Sequence, residues 1–197
     1  MFGIFLDTET NGLNPYINKI FEIAFKIIDL YTGDIIDEYQ SLIKIDKSIF
    51  ESSNLKSLEI TGFTFEELQK GKDISIIQNE LITIFKKYTL TDENSFFICQ
   101  NPSFDRIFVS QIIPPELQTE FNWPYHWLDL ASMFWSISIK TKESNKPFLW
   151  QNNLSKDIIA TTYNLPKEKL PHRAMNGVNH LILCYKSVVG FPFEETK

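Results

Sequence analysis

The sequence predicts an α/β or α+β domain built on a mixed sheet. Three observations predict it: strand-like runs fill the first 45 residues, helical patterns follow them, and one short apolar run returns among the helices at 95–99. The 197 residues suit a single domain spanning 1–197. Residues 3–7 read as a strand, a continuous apolar run that ends in Asp7, the pattern of a central strand covered on both faces. Residues 19–30 are rich in Ile and Phe, Tyr31-Thr32-Gly33-Asp34 supplies turn chemistry, and 35–45 returns as a third strand, so 19–45 reads as an antiparallel hairpin.

Helices follow. Residues 53–60 predict a short one closed at Gly62, and Thr64 with Glu67 has capping-box spacing at the start of 65–70. Asp73 stands where it can cap a longer helix whose Ile77, Leu81, Ile84, Phe85 and Tyr88 share one face. Residues 104–113 read as a helix stopped by Pro114-Pro115. Residues 114–127 read as irregular, 128–137 as helical, and 140–152 as a polar loop. Residues 154–163 and 173–189 predict the last two helices.

Composition narrows the function classes. Apolar residues at 43%, with 17 Phe, exclude a disordered chain, and 7 Gly with 9 Pro exclude a collagen-like one. Nineteen Lys and Arg against 25 Asp and Glu give a net charge of −6. This balance argues against a general electrostatic grip on nucleic acid, so any such binding must come from a local site or a metal. Cys99 and Cys184 lie in apolar surroundings and read as buried hydrophobes in a reducing compartment. No signal-peptide core or membrane span is evident, so a soluble cytoplasmic chain without membrane contact is expected.

Asp7 and Glu9 stand two apart at the end of the first strand, so alternation puts both carboxylates on the side of Phe5. Two acids side by side on an apolar strand repel each other, and a hard divalent cation such as Mg²⁺ or Mn²⁺ relieves that conflict. The alternative is that the strand has ended and both face water.

Asp7-Thr8-Glu9-Thr10-Asn11-Gly12-Leu13 resembles the first motif of the DEDDh 3′–5′ exonucleases, departing only at Asn11. Gln100-Asn101-Pro102-Ser103-Phe104-Asp105 resembles the second, with Gln100 in place of His and Asp105 as third acid. Alone, Asp105 would be an ordinary first-turn helix acid. Pro171-His172-Arg173-Ala174-Met175-Asn176-Gly177 resembles the third at His172 and Ala174, but Gly177 stands where the fourth acid is expected. The resemblance implies a ribonuclease H-like fold, a mixed five-stranded sheet flanked by helices. It also implies a two-metal phosphodiesterase with cations about 3.5–4 Å apart. Asp7, Glu9 and Asp105 would hold Mg²⁺ or Mn²⁺, and His172 would be general base. Thr8, Thr10, Asn11, Gly12, Leu13 and Asn101 would cradle the 3′ end of a single strand. Several relatives are homodimers, which makes a homodimer a further expectation.

Gly177 removes a ligand. Of its neighbours, His180 is about 60° around the helix and leans over the space left, so it is the candidate substitute ligand; the alternative is a partly buried helix histidine. If the lost acid limits activity, Gly177→Asp should raise it. The rival reading is a module that kept the fold and lost catalysis. Phe121, Trp123, Tyr125 and Trp127 either stack on bases or cover the core, and Phe148 and Trp150 pose the same choice. Lys140, Lys142 and Lys146 read either as phosphate contacts or as solvated charge.

Overall fold

The computed structural model describes residues 1–140, 148, 151 and 153–193. The expected contacts of Lys142, Lys146 and Trp150 lie outside the described residues. Five strands form one mixed sheet: β1 (Phe2–Thr10), β2 (Ile20–Asp29), β3 (Ile35–Leu42), β4 (Ser95–Cys99) and β5 (Trp127–Asp129), in the order β3-β2-β1-β4-β5. β1 pairs antiparallel with β2, and β2 pairs antiparallel with β3, the latter as the 19–45 hairpin pattern predicts. β4 and β5 extend the sheet in parallel on the other side of β1. The expected ribonuclease H-like, mixed five-stranded α/β architecture is therefore present.

β1 is central and buried on both faces, which explains its unbroken apolar run. Ile4 and Leu6 face one cluster, with Phe25, Phe97, and Ile77, Leu81 and Phe85 of α4 (Ile74–Lys87). Phe5 faces the other. There it meets Phe134 of α7 (Leu130–Lys140), Ile159 of α8 (Lys156–Thr162), and Val178 and Leu181 of α9 (Ala174–Val188). No helix among the described residues is long and apolar enough to cross a membrane.

The local signals mostly hold. Asn54 Oδ1 accepts from the backbone of Lys56 and Ser57 to start α2 (Leu55–Thr61), and Gly62 ends it at φ 64°, a left-handed turn that glycine adopts without strain. Thr64 caps α3 (Phe65–Leu68) through the Glu67 N–H, but the Glu67 carboxylate turns to Arg173, 3.0 Å away, leaving half a capping box. Asp73 occupies the N-cap of α4 without a side-chain cap bond.

Four elements differ from the sequence reading. Residues 47–51 form an unanticipated helical turn, α1 (Lys47–Glu51). The helix after β4, α5 (Pro102–Val109), starts two residues earlier than expected and ends at Val109, ahead of the expected Pro114-Pro115 stop, and Pro115 opens α6 (Pro115–Glu120) in the stretch read as irregular. Proline lacks the N–H that a first-turn position leaves unbonded anyway, so a residue read as a helix stop here begins one. The start of the expected 128–137 helix is instead β5, because three residues suffice to pair with Phe97–Cys99 before Asp129 caps α7.

Candidate active site

The end of β1 delivers two acids to the α9 face. Asp7 pairs across the ladder with Ala24 and Glu9 with Glu22. Asp7 rests against Gly177: a Cβ added there would collide with the Asp7 carboxylate, its Cγ only 2.6 Å away. An acid at 177 thus has no room unless Asp7 moves.

Asp105 arrives from α5. Asn101 precedes that helix in a left-handed conformation (φ 57°, ψ 64°), and its N–H donates to Asp129 Oδ1 at 3.0 Å. Asp129 also accepts from the N–H groups of Ala131 and Ser132 and from the Ser132 hydroxyl. One carboxylate therefore fixes both the turn into α5 and the start of α7. Asp105 is 4% exposed and accepts a 2.8 Å hydrogen bond from Thr8 Oγ1, from the residue between Asp7 and Glu9. Gln100, at the family's histidine position, donates to the Leu154 carbonyl at 2.7 Å and anchors the approach to α8.

The C-terminal wall holds His172. Its N–H donates to the Ile60 carbonyl at 3.0 Å, and two residues on, the Ala174 N–H donates to Glu22 Oε2 at 2.8 Å. The buried acid of β2 thus holds the N-terminus of α9 to the sheet, where the helix dipole favours negative charge.

Two side chains that sequence reasoning missed complete the centre. Lys156, at the first turn of α8, places Nζ 3.1 Å from Asp7 Oδ1 and 3.0 Å from Glu168 Oε2. Glu168, on the segment between α8 and α9, is 5% exposed at its side chain, and its Oε1 lies 3.5 Å from His172 Nδ1. His180 is buried, its Nε2 3.0 Å from the Pro166 carbonyl and its Nδ1 3.7 Å from Glu168 Oε2. Nothing in the sequence singled out Glu168: Lys167-Glu168-Lys169 reads as a solvated charge run, and only its spacing of four from His172 hinted at more.

Crowding sets the charges. Burial, reinforced by Asp7, pushes Glu9 up to about 9. Burial and Asp7 likewise push Asp105 up to about 8, only partly offset by the Thr8 hydrogen bond. Burial raises Asp7 too, against the pull of Lys156. Glu168 behaves oppositely: burial would raise it, but His180 and the Lys156 ammonium hold it down to about 2. Burial works against the Lys156 charge, yet Asp7 and Glu168 keep it firmly protonated. Contacts with Cys184 and Glu168 push His180 up to about 10.

The donor set suits a hard or borderline divalent cation. One ligand atom each from Glu9, Glu168 and His172 lies within 4.8 Å of the others. Glu168 Oε1 is buried without a hydrogen-bond partner among the described residues, with His172 Nδ1 3.5 Å away, so its acceptor capacity is open to a cation.

Beyond the acids, the loop after β1 holds its shape through its own side chains. Asn11 is 1% exposed; its Oδ1 accepts from the Lys19 N–H and its Nδ2 donates to the Ile49 carbonyl. Thr10 Oγ1 donates to the Gly12 carbonyl. Leu13 is 80% exposed, so it does not serve as core packing. In the aromatic stretch, Trp123 stacks on Phe85 (3.9 Å between centroids) and Trp127 on Phe97 (4.0 Å), which makes both core cover. Tyr125 is exposed, with the Arg106 guanidinium over its ring.

Comparisons with known proteins fit this geometry. The RNase T exonuclease family model matches residues 4–176. Curated relatives include the PolC-type DNA polymerase III of Thermotoga petrophila, 35% identical over 62% of this chain and 8% of the relative. That of Thermotoga maritima is 32% identical over the same shares. The chain thus matches only a small part of those polymerases. Among solved structures, a zinc-bound complex of E. coli ExoI with single-stranded DNA has a TM-score of 0.71 at 18% identity, covering 95% of this chain and 40% of that one. E. coli Exonuclease I with a dT13 oligonucleotide has a TM-score of 0.72 at 15% identity, covering 95% and 41%.

Proposed function

Because the chain belongs to the RNase T exonuclease family, we propose that it removes nucleotides from the 3′ end of single-stranded DNA or RNA with the help of Mg²⁺ or Mn²⁺. The observation that carries this reading is the approach of Asp105 to the Asp7-Thr8-Glu9 strand end through the Thr8 hydrogen bond. Two carboxylates from the end of β1 and a third from α5 approach one another in a largely buried space, and Asp7 raises both of the others. The oligonucleotides in the ExoI structures lend support to a single-stranded substrate.

Asp7, Glu9 and Asp105 would hold two divalent cations, which, when bound, offset the charge of a phosphodiester and acidify water. The chain's own residues do the rest. His172, 36% exposed at its side chain, turns Nδ1 toward Glu168 and leaves Nε2 to accept a proton from the attacking water. Thr8, Thr10, Asn11 and Gly12 would border the terminal nucleotide as the motif resemblance implies, Leu13 offers an exposed apolar surface for the terminal base, and Asn101 opens the helix that carries Asp105. Asn11 acts here as a brace for the loop, since its amide is already bonded on both sides.

The test uses single strands labelled at either end, with Mg²⁺ and separately with Mn²⁺. A ladder from the 5′ label that disappears in Asp7→Ala is the expected result. Binding without cleavage in either metal would replace this reading with the second one, a nucleic-acid-binding module on the same fold. The presence of the Lys156 ammonium among the acids is the observation that favours that alternative.

A further inference from the structure

The third family motif lacks its acid, and the structure accounts for the lack. At Gly177 the Asp7 carboxylate fills the space a side chain would need. A fourth carboxylate nevertheless reaches the centre by another route. Glu168 extends from the segment between α8 and α9, with its side chain 95% buried, judging by its 5% exposure. Its Oε2 is engaged by Lys156. Its Oε1 is unbonded among the described residues and is aimed at the cluster it forms with Glu9 and His172. Asp7, Glu9, Asp105 and Glu168 restore a count of four acids, with one of them carried on a loop and not on the helix.

Lys156 gives this arrangement a consequence. Its Nζ lies between Asp7 Oδ1 and Glu168 Oε2, within hydrogen-bond reach of both, in a largely buried position. A cation shared by two carboxylates in this way does electrostatically what a metal ion would do. We propose that Glu168 is the fourth acid of the site, a cation ligand standing in for the one absent at Gly177, and that Lys156 is a tethered cation that a divalent ion must displace from Asp7 and Glu168. This rests on the reading of the site as a divalent-cation centre. It makes the metal-free state self-neutralised and sets metal affinity by competition with the chain's own ammonium. Glu9, Asp105, His172 and His180 are the other charged or titratable groups facing this pair.

Mn²⁺ binding to the purified chain, followed by the electron-spin resonance of free Mn²⁺ at fixed pH and low ionic strength, tests both halves without relying on turnover. Glu168→Gln should weaken binding at least about tenfold. Lys156→Met should tighten it by about tenfold, because it removes the competing charge. Circular dichroism of the metal-free variants checks the fold. Should the buried Lys156 without its partner unfold Glu168→Gln, the double variant Lys156→Met/Glu168→Gln compared with Lys156→Met isolates Glu168 with the pair removed together. Equal Mn²⁺ affinity with and without Glu168 overturns the ligand assignment. Unchanged or weaker affinity in Lys156→Met overturns the competition. If the wild type binds Mn²⁺ and shortens strands while Glu168 proves irrelevant, only this inference fails. If the wild type does neither, the exonuclease reading fails with it.

Discussion

The two walls of the site are held together by different means. The β1 wall, Asp7 to Asn11, is the end of the central strand and a braced loop: its backbone is paired with β2 as far as Thr10, and Asn11 and Thr10 bond within the loop. The opposite wall, Lys156 to Gly177, is assembled from one helix start, one irregular segment and another helix start, joined by ion pairs. The first wall follows the family motif almost residue for residue. The second has lost an acid from its motif and regained one outside it. A strand in the middle of a sheet offers few alternative positions for a carboxylate, because a one-residue slip would turn it to the other face. A segment between helices can bring a carboxylate in from many places, so the chemistry there is free to shift along the sequence.

That contrast can be broken or sharpened experimentally. On the rigid wall, Asp7→Ala should lower cleavage at least about 10²-fold, measured in single-turnover assays with saturating Mn²⁺. On the other wall, Gly177→Asp should lower activity and not restore it, because its Cβ collides with Asp7. Overpacking of this kind costs about 1–3 kcal/mol, so its melting temperature should fall as well. Higher activity in that variant would show that Asp7 yields easily and that the β1 wall is less rigid than described.

The pH response should separate the walls next. Glu9 rises from its ordinary 4.5 to about 9, and Asp105 from 3.8 to about 8. Between these limits the folded chain holds protons that the unfolded chain has released, so metal-free stability should fall as the pH climbs from about 4.5 to about 9. Glu168 has the opposite sign: held down to about 2, it contributes stability above its ordinary 4.5 that is lost as the pH falls toward 2. Mn²⁺ binding should release protons and strengthen up to about pH 9, near the upper of the two raised values. Urea melts across pH, with and without Mn²⁺, check both; a flat metal-free profile between 5 and 9 would contradict the crowding of the acids. The smallest effect belongs to the rim. Leu13→Ala should leave the melting temperature unchanged, because the side chain is 80% exposed, and raise KM for short oligonucleotides while kcat holds.

Much of the fold was legible because periodicity reports burial. The β1 run, the hairpin through Gly33 and the one-sided face of α4 each read directly from apolar spacing. β5 was not legible, since three residues carry no period, and α6 was hidden by a proline that reads equally as stop or start. At the site, Asp7, Glu9, Asp105 and His172 stood out through motif order. Lys156 and Glu168 did not, because a buried ion pair and a surface charge run look alike until tertiary packing removes the water. The family motif directed attention to His180 as the substitute for the lost acid, yet a helical neighbour close in sequence lies against Glu168, while the carboxylate itself comes from nine residues before Gly177.

Glu22 ties the second wall to the first. Its carboxylate receives both the Gln40 amide and the opening N–H of the last helix, so a strand residue opposite Glu9 serves as the mooring for the segment carrying His172. The His172 backbone therefore keeps its station relative to the acids, and on the proposed function less ordering entropy would remain to be spent when a strand end docks. On the proposed function a chain built this way would gain speed from preparation, and weakening the Glu22 tie, one of those that hold this segment alongside the His172 bond to Ile60, would loosen the general base without altering the acids.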